Sequence, residues 1–303
     1  MSVVEKAIRK LQKQREKAAA EARAAAASAM PQAQPASEPV PSQPPAGGRR
    51  AIVLDRGALR AAGLMPPEEE VDLLTRQYRK IKHPLVAKAM GRGGAREPRG
   101  YLIMIASAMA GEGKTFTALN LALSLSLEKE VRVLLVDADA PKPQLSQLLG
   151  LAEAPGLLDV LRDPKLEVES LICGTNVRTL SFLPAGTGAD DATELLSSAR
   201  MEHVAALLGQ HDSHRIVVFD SPPLLQTTES PALARVSGQI VVVVRAEITP
   251  QPVLLDALST LQGHPGVSLV LNQSTRSGAA PYYYYGYAAK DGGAAARAEA
   301  GGG

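Results

Sequence analysis

The chain contains few of the residues that mark several large classes of protein. Its 303 residues include one cysteine, Cys173, and no tryptophan, and aromatic side chains make up only 3 %. A single cysteine excludes a disulfide framework and is typical of a reducing cytoplasm, so we expect Cys173 to be a small core residue. No apolar run approaches the roughly 20 residues that a membrane-spanning helix needs. The five histidines do not have metal-ligand spacing.

Charge also excludes some partners. The net charge of +2 does not favour a polyanion binder, so we expect no nucleic-acid partner. The N-terminus has charges where a signal peptide needs its apolar region, which predicts a cytoplasmic protein. Residues 1–30 have a helical pattern, and the first 23 carry seven Lys or Arg against three Glu, a local net charge of +4. This helix is either solvated or a contact for a membrane surface or partner helix.

The remaining composition divides the chain into four parts. Residues 31–50 are a proline-rich linker that cannot build a core. Residues 51–277 alternate between strand and helix patterns, and residues 278–303 are predicted to be a flexible tail. The predicted strands are Tyr101–Ala106, Val131–Val136, Val177–Leu183, Ile216–Phe219, Ile240–Val244 and Val267–Leu271. The predicted helices include Thr115–Leu127, Asp191–Gly209, Glu229–Val236 and Pro252–Leu261.

Several of these strands are continuous apolar runs, such as VRVLLV and QIVVVV, rather than alternating ones. Strands of this kind are covered on both faces, which predicts an α/β fold with a mostly parallel sheet between two layers of helices. Ligands in this architecture bind beyond the carboxyl ends of the strands. The residues at those ends are therefore the first candidates for a functional site.

The segment Ala108–Thr115, AMAGEGKT, nearly matches the phosphate-binding loop pattern G-x-x-x-x-G-K-[ST], with alanine in place of the first glycine. An apolar strand precedes it and a helix follows, so its backbone amides and the positive helix end can hold phosphates. We expect Lys114 to reach the β- and γ-phosphates of ATP and Thr115 to coordinate Mg²⁺. The predicted nucleotide-binding residues are Ala110, Gly111, Glu112, Gly113, Lys114, Thr115 and Phe116.

Two strands end in acidic residues. Asp137 and Asp139 follow VRVLLV, and Asp220 follows RIVVF. An acid at the end of such a strand is how Mg²⁺ is usually held near the γ-phosphate, and we expect Asp137 and Asp220 to serve as metal ligands. Together with Lys114 these three acids are the predicted catalytic residues. Alternatively, Asp137 or Asp139 caps a loop.

The combination of GEGKT, LLVDAD, FDSPP and a C-terminal tyrosine cluster resembles the bacterial tyrosine autokinases of exopolysaccharide synthesis, in particular the exosortase-associated type. The resemblance covers roughly Glu70 to Tyr287 and implies an ATP site built from the loop, the double-Asp motif and the Asp-x-Pro-Pro motif. It also implies that Asn272 contacts adenine, although a strand-end turn residue is an equal alternative. The family's self-association helix carries a Glu and two Arg at three-residue intervals. These positions align with Arg76, Arg79 and Lys82, so the acidic residue of the motif is missing here.

Five of the seven tyrosines lie between Tyr282 and Tyr287. They are the predicted phospho-acceptors: Tyr282, Tyr283, Tyr284, Tyr285 and Tyr287. A phenol on a flexible tail can be delivered in line with the γ-phosphate, and Asp137 is the candidate to orient it. Alternatively, the cluster is an aromatic edge strand or a membrane-interface patch. Delivery into a neighbouring subunit is the simpler geometry, which predicts a head-to-tail homo-oligomer.

By resemblance, the kinase works with an inner-membrane chain-length-determinant protein, and that partner would hold it at the inner membrane. Two other functions use the same loop: a membrane-associated positioning or partitioning ATPase, and a nucleotide-dependent scaffold. The positioning ATPases carry a signature lysine after the first position of the loop, where this chain has Met109. The run of adjacent acceptors argues against a scaffold.

Overall fold

Eight strands form one sheet in the computed structural model, which describes residues 50–92, 97–210 and 212–274. The strands are β1 (Ala51–Ile52), β2 (Leu102–Ser107), β3 (Arg132–Asp137), β4 (Cys173–Thr175), β5 (Leu180–Leu183), β6 (Arg215–Asp220), β7 (Gln239–Arg245) and β8 (Val267–Asn272). Their order across the sheet is β1-β4-β5-β3-β6-β2-β7-β8. All neighbouring strands are parallel except β4 and β5.

Ten α-helices connect these strands within the described residues. They are α1 (Arg56–Ala61), α2 (Val71–Met90), α3 (Lys114–Leu125), α4 (Gln144–Leu148), α5 (Leu157–Arg162), α6 (Val168–Leu171), α7 (Ala192–Ser197), α8 (Ala199–Gln210), α9 (Glu229–Val236) and α10 (Gln251–Ser259). Within the same residues, no helix combines the length and the apolar character that crossing a bilayer requires.

The central strands are buried on both faces, as their apolar runs predict. In β2, Leu102 and Met104 belong to the core on one face of the sheet, and Ile103 and Ile105 belong to the core on the other. This arrangement confirms the predicted α/β fold with a mostly parallel sheet. Cys173 is buried in β4, consistent with a core role.

Two predicted elements differ from the structure. The predicted helix Asp191–Gly209 is two helices, α7 and α8, because Ser198 adopts an extended conformation between them. The hydroxyl of Ser198 accepts a hydrogen bond from the Met201 amide, which caps the second helix. The predicted strand Val177–Leu183 is also shorter, since β5 begins only at Leu180.

The helix α2 precedes the phosphate loop in sequence and packs against α3. Lys82, aligned above with the self-association motif, is buried there. Its ammonium donates to the Ser124 carbonyl at 2.8 Å and pairs with Glu128 at 2.8 Å. Arg76 and Arg79 are exposed. Lys82 therefore holds α2 against the domain, and of the three aligned residues only the two arginines are exposed.

The predicted helix at residues 1–30, most of the linker 31–50 and the five tail tyrosines lie outside the described residues.

Candidate active site

The strand order brings the predicted site residues to one edge of the sheet. β6 lies between β3 and β2, and Asp137 is the register partner of Asp220. The phosphate loop follows β2, and Asn272 ends β8 two strands further along. The two acidic strand ends therefore lie on one side of the loop, and Asn272 lies on the other.

The phosphate loop curls through two glycines with left-handed backbones, Gly111 at φ 81° and Gly113 at φ 95°. Gly113 has a second constraint, because a Cβ there would lie 2.1 Å from the side-chain nitrogen of Asn272. Among the described residues, the amides of Gly111, Glu112 and Gly113 have no hydrogen-bond acceptor. With α3 beginning at Lys114, the loop presents these donors and a positive helix end to an anion.

Lys114 is buried at the start of α3, with 6 % of its surface exposed. Burial lowers the pKa of its ammonium group, and the nearby carboxylates of Asp220, Asp139 and Glu112 oppose that shift. The lysine thus sits among acids at the mouth of the loop. A cation in this position can neutralise the charge of a bound phosphate chain.

Asp137 and Asp220 form a buried acidic pair. Burial raises the pKa of Asp137 to about 7, and hydrogen bonds from the amide and hydroxyl of Ser146, both at 2.8 Å, oppose the rise. Burial, and then the neighbouring Asp137, raises the pKa of Asp220 well above its ordinary value, while Thr115 and Lys114 act in the opposite direction. A second positive charge would stabilise both carboxylates in their ionised form.

Three oxygen atoms of this pair lack well-aligned hydrogen-bond partners among the described residues: Oδ1 of Asp137 and both oxygens of Asp220. Buried, unpartnered carboxylate oxygens are the ligands that a hard cation such as Mg²⁺ prefers. No group of three or more His, Cys, Asp or Glu side chains in the described part of the chain could hold a metal alone. The acids together with the Thr115 hydroxyl therefore fit a cation that takes its other ligands from a phosphate chain or water.

A cavity of about 520 Å³ opens in front of the loop. The predicted residues that line it are Ala110, Gly111, Gly113, Lys114, Thr115, Phe116, Asp139 and Asn272. Asp137 is completely buried behind this surface, and Asp139 reaches it. Asp139 also closes the turn that follows β3, because its backbone and side-chain oxygens both accept from the Lys142 amide. The turn therefore separates the two acids, one into the core and one into the cavity.

Glu112 differs from the other predicted nucleotide-binding residues. Its side chain is 2 % exposed and turns back into the protein, where it accepts from the Met109 amide at 2.8 Å and from the hydroxyl of Thr249. The amide of Asn272 donates to the Glu112 carbonyl at 2.9 Å. Asn272 thus contacts the phosphate loop, and the predicted contact with adenine stays a prediction.

The sequence patterns missed three contributors to the site. Thr249 lies in the turn after β7, and Gln226 accepts from the Ala110 amide at 3.2 Å. The turn Ala62–Leu64 also lines the cavity, and the Asn120 side chain holds it by donating to the Leu64 carbonyl. None of these residues belongs to a local motif. They reach the site only because the topology places their segments beside the loop.

A family model described as an AAA domain matches residues 100–261, which is more than half of the chain. The chain belongs to this family, and the α/β P-loop NTPase fold that its sequence predicts is confirmed. A P-loop domain of this kind binds ATP.

Comparisons with individual proteins narrow the relationship. The chain is 29 % identical over 194 residues to the tyrosine-protein kinase YwqD of Bacillus subtilis, a match that covers 64 % of this chain and 78 % of that protein. It is 32 % identical over 122 residues to EpsB of Ralstonia nicotianae, covering 40 % of this chain. That match spans 16 % of the length of EpsB, so most of the longer protein has no counterpart in the comparison.

The solved BceF tyrosine kinase domain superposes with a TM-score of 0.57 at 27 % identity, covering 71 % of this chain and 86 % of that one. Homologues of this chain are therefore protein-tyrosine kinases, and its P-loop domain is of the bacterial tyrosine-kinase type.

Proposed function

We propose that this protein is an ATP-dependent protein-tyrosine kinase that phosphorylates its own C-terminal cluster, Tyr282–Tyr285 and Tyr287. The observation that carries the proposal is an open phosphate-binding cavity, lined by Lys114 and Asp139 with Asp137 and Asp220 buried behind it, in a domain whose homologues are tyrosine kinases. The distribution of tyrosines adds to it. Of the two tyrosines outside the tail, Tyr78 is buried, and burial raises its pKa to about 12.

The positions of the strand ends determine the orientation of the bound nucleotide in this proposal. Asp137 and Asp220 lie on the β3 and β6 side of the phosphate loop, and Asn272 lies on the β8 side. Because the acids and Lys114 suit the terminal phosphates, the base extends toward Asn272. The acceptor hydroxyl then approaches from the side of β3 and β6, where Pro141 and Lys142 line the cavity.

Mg²⁺ belongs beside the acidic pair in this proposal. The Thr115 hydroxyl and the carboxylates of Asp137 and Asp220 would hold it, consistent with the unpartnered oxygens described above. When bound, the cation supplies charge neutralisation to the phosphates during transfer.

The side chains of the site have different roles in the proposed transfer. Lys114 stabilises the negative charge that the γ-phosphoryl group carries during transfer. The complete burial of Asp137 favours Asp139, rather than Asp137, as the acid that meets the incoming hydroxyl, because Asp139 reaches the cavity. Asp137 would then affect the transfer indirectly, through its charge on the neighbouring Asp220 and as a ligand of the cation.

We further propose transfer between subunits of a head-to-tail homo-oligomer. β8 runs toward the rim of the cavity, and Asn272 and Gln273 line that rim, across the phosphate loop from the acidic strand ends. We infer that a tail continuing in the direction of β8 would have to reverse to reach its own γ-phosphate site, whereas a neighbour's site requires no reversal. The exosortase-associated subtype, the chain-length-determinant partner at the inner membrane and the control of exopolysaccharide export rest on the sequence resemblance.

A positioning or partitioning ATPase is the alternative, since the same loop supports hydrolysis without transfer. Mass spectrometry of the C-terminal peptide, after incubation of the purified protein with Mg·ATP, separates the two functions. The kinase predicts phosphate on Tyr282–Tyr287, which Lys114→Met abolishes and which Lys88→Met, an exposed lysine of α2, leaves unchanged. ATP hydrolysis with an unmodified tail would support the ATPase and contradict the proposal.

A further inference from the structure

Glu112 places a carboxylate inside a loop that must bind a polyanion. Its side chain is almost completely buried, and its charge is one of those that act on Lys114. A buried carboxylate is costly unless it is hydrogen-bonded, and close to phosphates it also repels the ligand. Neither the phosphate-binding pattern nor the proposed kinase reaction requires it.

Two hydrogen bonds hold this carboxylate in place. One oxygen accepts from the Met109 amide, which ties the start of the phosphate loop to its middle. The other accepts from the Thr249 hydroxyl. That hydroxyl in turn accepts from the Arg245 amide at 3.1 Å, so the contact continues to the end of β7. Glu112 is therefore linked to a neighbouring strand as well as to its own loop.

The backbone of Glu112 provides a second attachment, because its carbonyl accepts from the Asn272 side chain at the end of β8. The segments after β7 and β8 thus meet the phosphate loop at the same residue. Both strands are extensively hydrogen-bonded in the sheet, so they offer a fixed reference for the loop.

Backbone strain is found beside both attachments. Only three non-glycine residues in the described ranges have positive φ values, and two of them are Glu247 at 62° and Gln273 at 55°. Glu247 lies in the turn that presents Thr249, and Gln273 directly follows Asn272. Strained conformations of this kind persist where the surrounding structure requires them, and they cluster at functional sites.

We propose that Glu112 and Thr249 are positioning residues that hold the empty phosphate loop in its nucleotide-ready shape. The Met109 amide is satisfied by Glu112, so the loop keeps its curl and leaves the amides of Gly111 and Gly113 free for phosphate. We call the hydrogen bonds of the Glu112 carboxylate with Met109 and Thr249 the clip. Without the clip, nucleotide binding must also order the loop, and this cost reduces the affinity for nucleotide. The inference depends on ATP binding and not on the tyrosine acceptor.

The test is the dissociation constant of a fluorescent ATP analogue, measured with the full-length protein. Thr249→Val removes the hydroxyl with little change of shape and should weaken binding about tenfold, equivalent to about 1.4 kcal/mol. Thr249→Ser keeps the hydroxyl and should restore affinity. Thr260→Val is the matched control, because it also removes a hydroxyl bond in the α10 region, but that hydroxyl donates to the Ala257 carbonyl and not to the phosphate loop.

A double-variant cycle distinguishes the effect of losing the Glu112–Thr249 contact from the effect of a general loss of stability. In a Glu112→Ala background, Thr249→Val should weaken binding no further, since its partner is already gone. Thr249→Val binding within about twofold of the unmodified protein would overturn the proposal. So would an equal loss in Thr260→Val, or full additivity with Glu112→Ala. Binding is measured without phosphoryl transfer, so the result stands whether or not the tail is a substrate.

Discussion

The carboxyl group of Asp220 combines full burial with two oxygen atoms that lack well-aligned hydrogen-bond partners among the described residues. Such a group destabilises the empty protein and becomes useful only when a cation is present. Folding raises its pKa through desolvation, so the folded state binds the proton more tightly than the unfolded state. The stability of the empty protein should therefore fall as pH rises above the ordinary range of an aspartate.

Asp220→Asn should consequently stabilise the nucleotide-free protein by about 1–2 kcal/mol at pH 8, because the neutral amide can donate to the unpartnered Oδ1 of Asp137. The gain should shrink as the pH is lowered toward 5, because the raised pKa favours the protonated form of Asp220 in the unmodified protein as the pH falls. Urea unfolding in the presence of a metal chelator measures both values. Glu153→Gln, which changes an exposed acid, is the control. An Asp220→Asn protein that is less stable at pH 8 would contradict this description of the pair.

The two loop glycines are subject to different constraints. Gly111 has positive φ with open space around it, and Gly113 has positive φ with Asn272 against it. Gly111→Ala should cost about 1–2 kcal/mol of stability from the backbone conformation alone. Gly113→Ala should cost more and should also weaken ATP binding, because its methyl group displaces the Asn272 amide from the loop. Denaturant unfolding and a nucleotide titration check both, and equal costs at the two positions would show that the Asn272 contact is unimportant.

Among the elements, helix α2 contains a residue, Lys82, whose burial the sequence pattern did not predict. Its Lys82 aligned with a surface motif, but the structure buries this side chain against Ser124 and Glu128. Hydrogen bonding to Lys82 lowers the pKa of Glu128, so the pair contributes stability above the ordinary pKa of glutamate. That contribution is lost as pH falls through the lowered value.

Glu128→Gln should therefore lower stability by up to about 1 kcal/mol at pH 7 and by less near pH 3. Glu130→Gln is a close control, since Glu130 lies two residues away and pairs with Arg92 at 3.0 Å on the exposed surface. It should have almost no effect. Thermal unfolding across this pH range gives the comparison, and equal losses for the two variants would mean that burial of Lys82 adds nothing.

The elements that the sequence predicted are those with a strong local signal. Continuous apolar strands, the loop GEGKT and the strand-end acids indicated both the sheet and the positions of Lys114, Asp137 and Asp220. Local patterns did not reveal that Ser198 breaks a helix or that Thr249 reaches the loop from β7. They also did not show that the turn after β3 turns Asp137 inward and Asp139 toward the cavity. Those facts depend on contacts between segments far apart in sequence.

For the whole molecule, the proposed reaction changes the charge of the tail. Each phosphotyrosine adds about −1.5 to −2 at neutral pH, so five would add on the order of −8 to −10. A tail with this charge is repelled by the anionic nucleotide in a neighbour's site. The unphosphorylated protein should therefore associate and the phosphorylated protein should dissociate.

Size-exclusion chromatography with light scattering tests this cycle. Lys114→Met protein, which cannot be modified, should elute as the larger assembly, and protein incubated with Mg·ATP should elute as a smaller species. A variant with all five tail tyrosines changed to phenylalanine is the control, and it should keep its size after incubation. A phosphorylated form that remains as large as Lys114→Met would exclude the cycle.

The fate of the γ-phosphate of ATP tests the central claim most directly. ATP labelled at that phosphate is incubated with the purified protein and Mg²⁺, and the label is divided between protein and inorganic phosphate. We predict that label accumulates on tyrosine within residues 282–287 of the unmodified protein and is absent from the five-phenylalanine and Lys114→Met proteins. Label that appears only as inorganic phosphate, with none on the tail, would contradict the claim that this P-loop domain transfers phosphate to its own tyrosines.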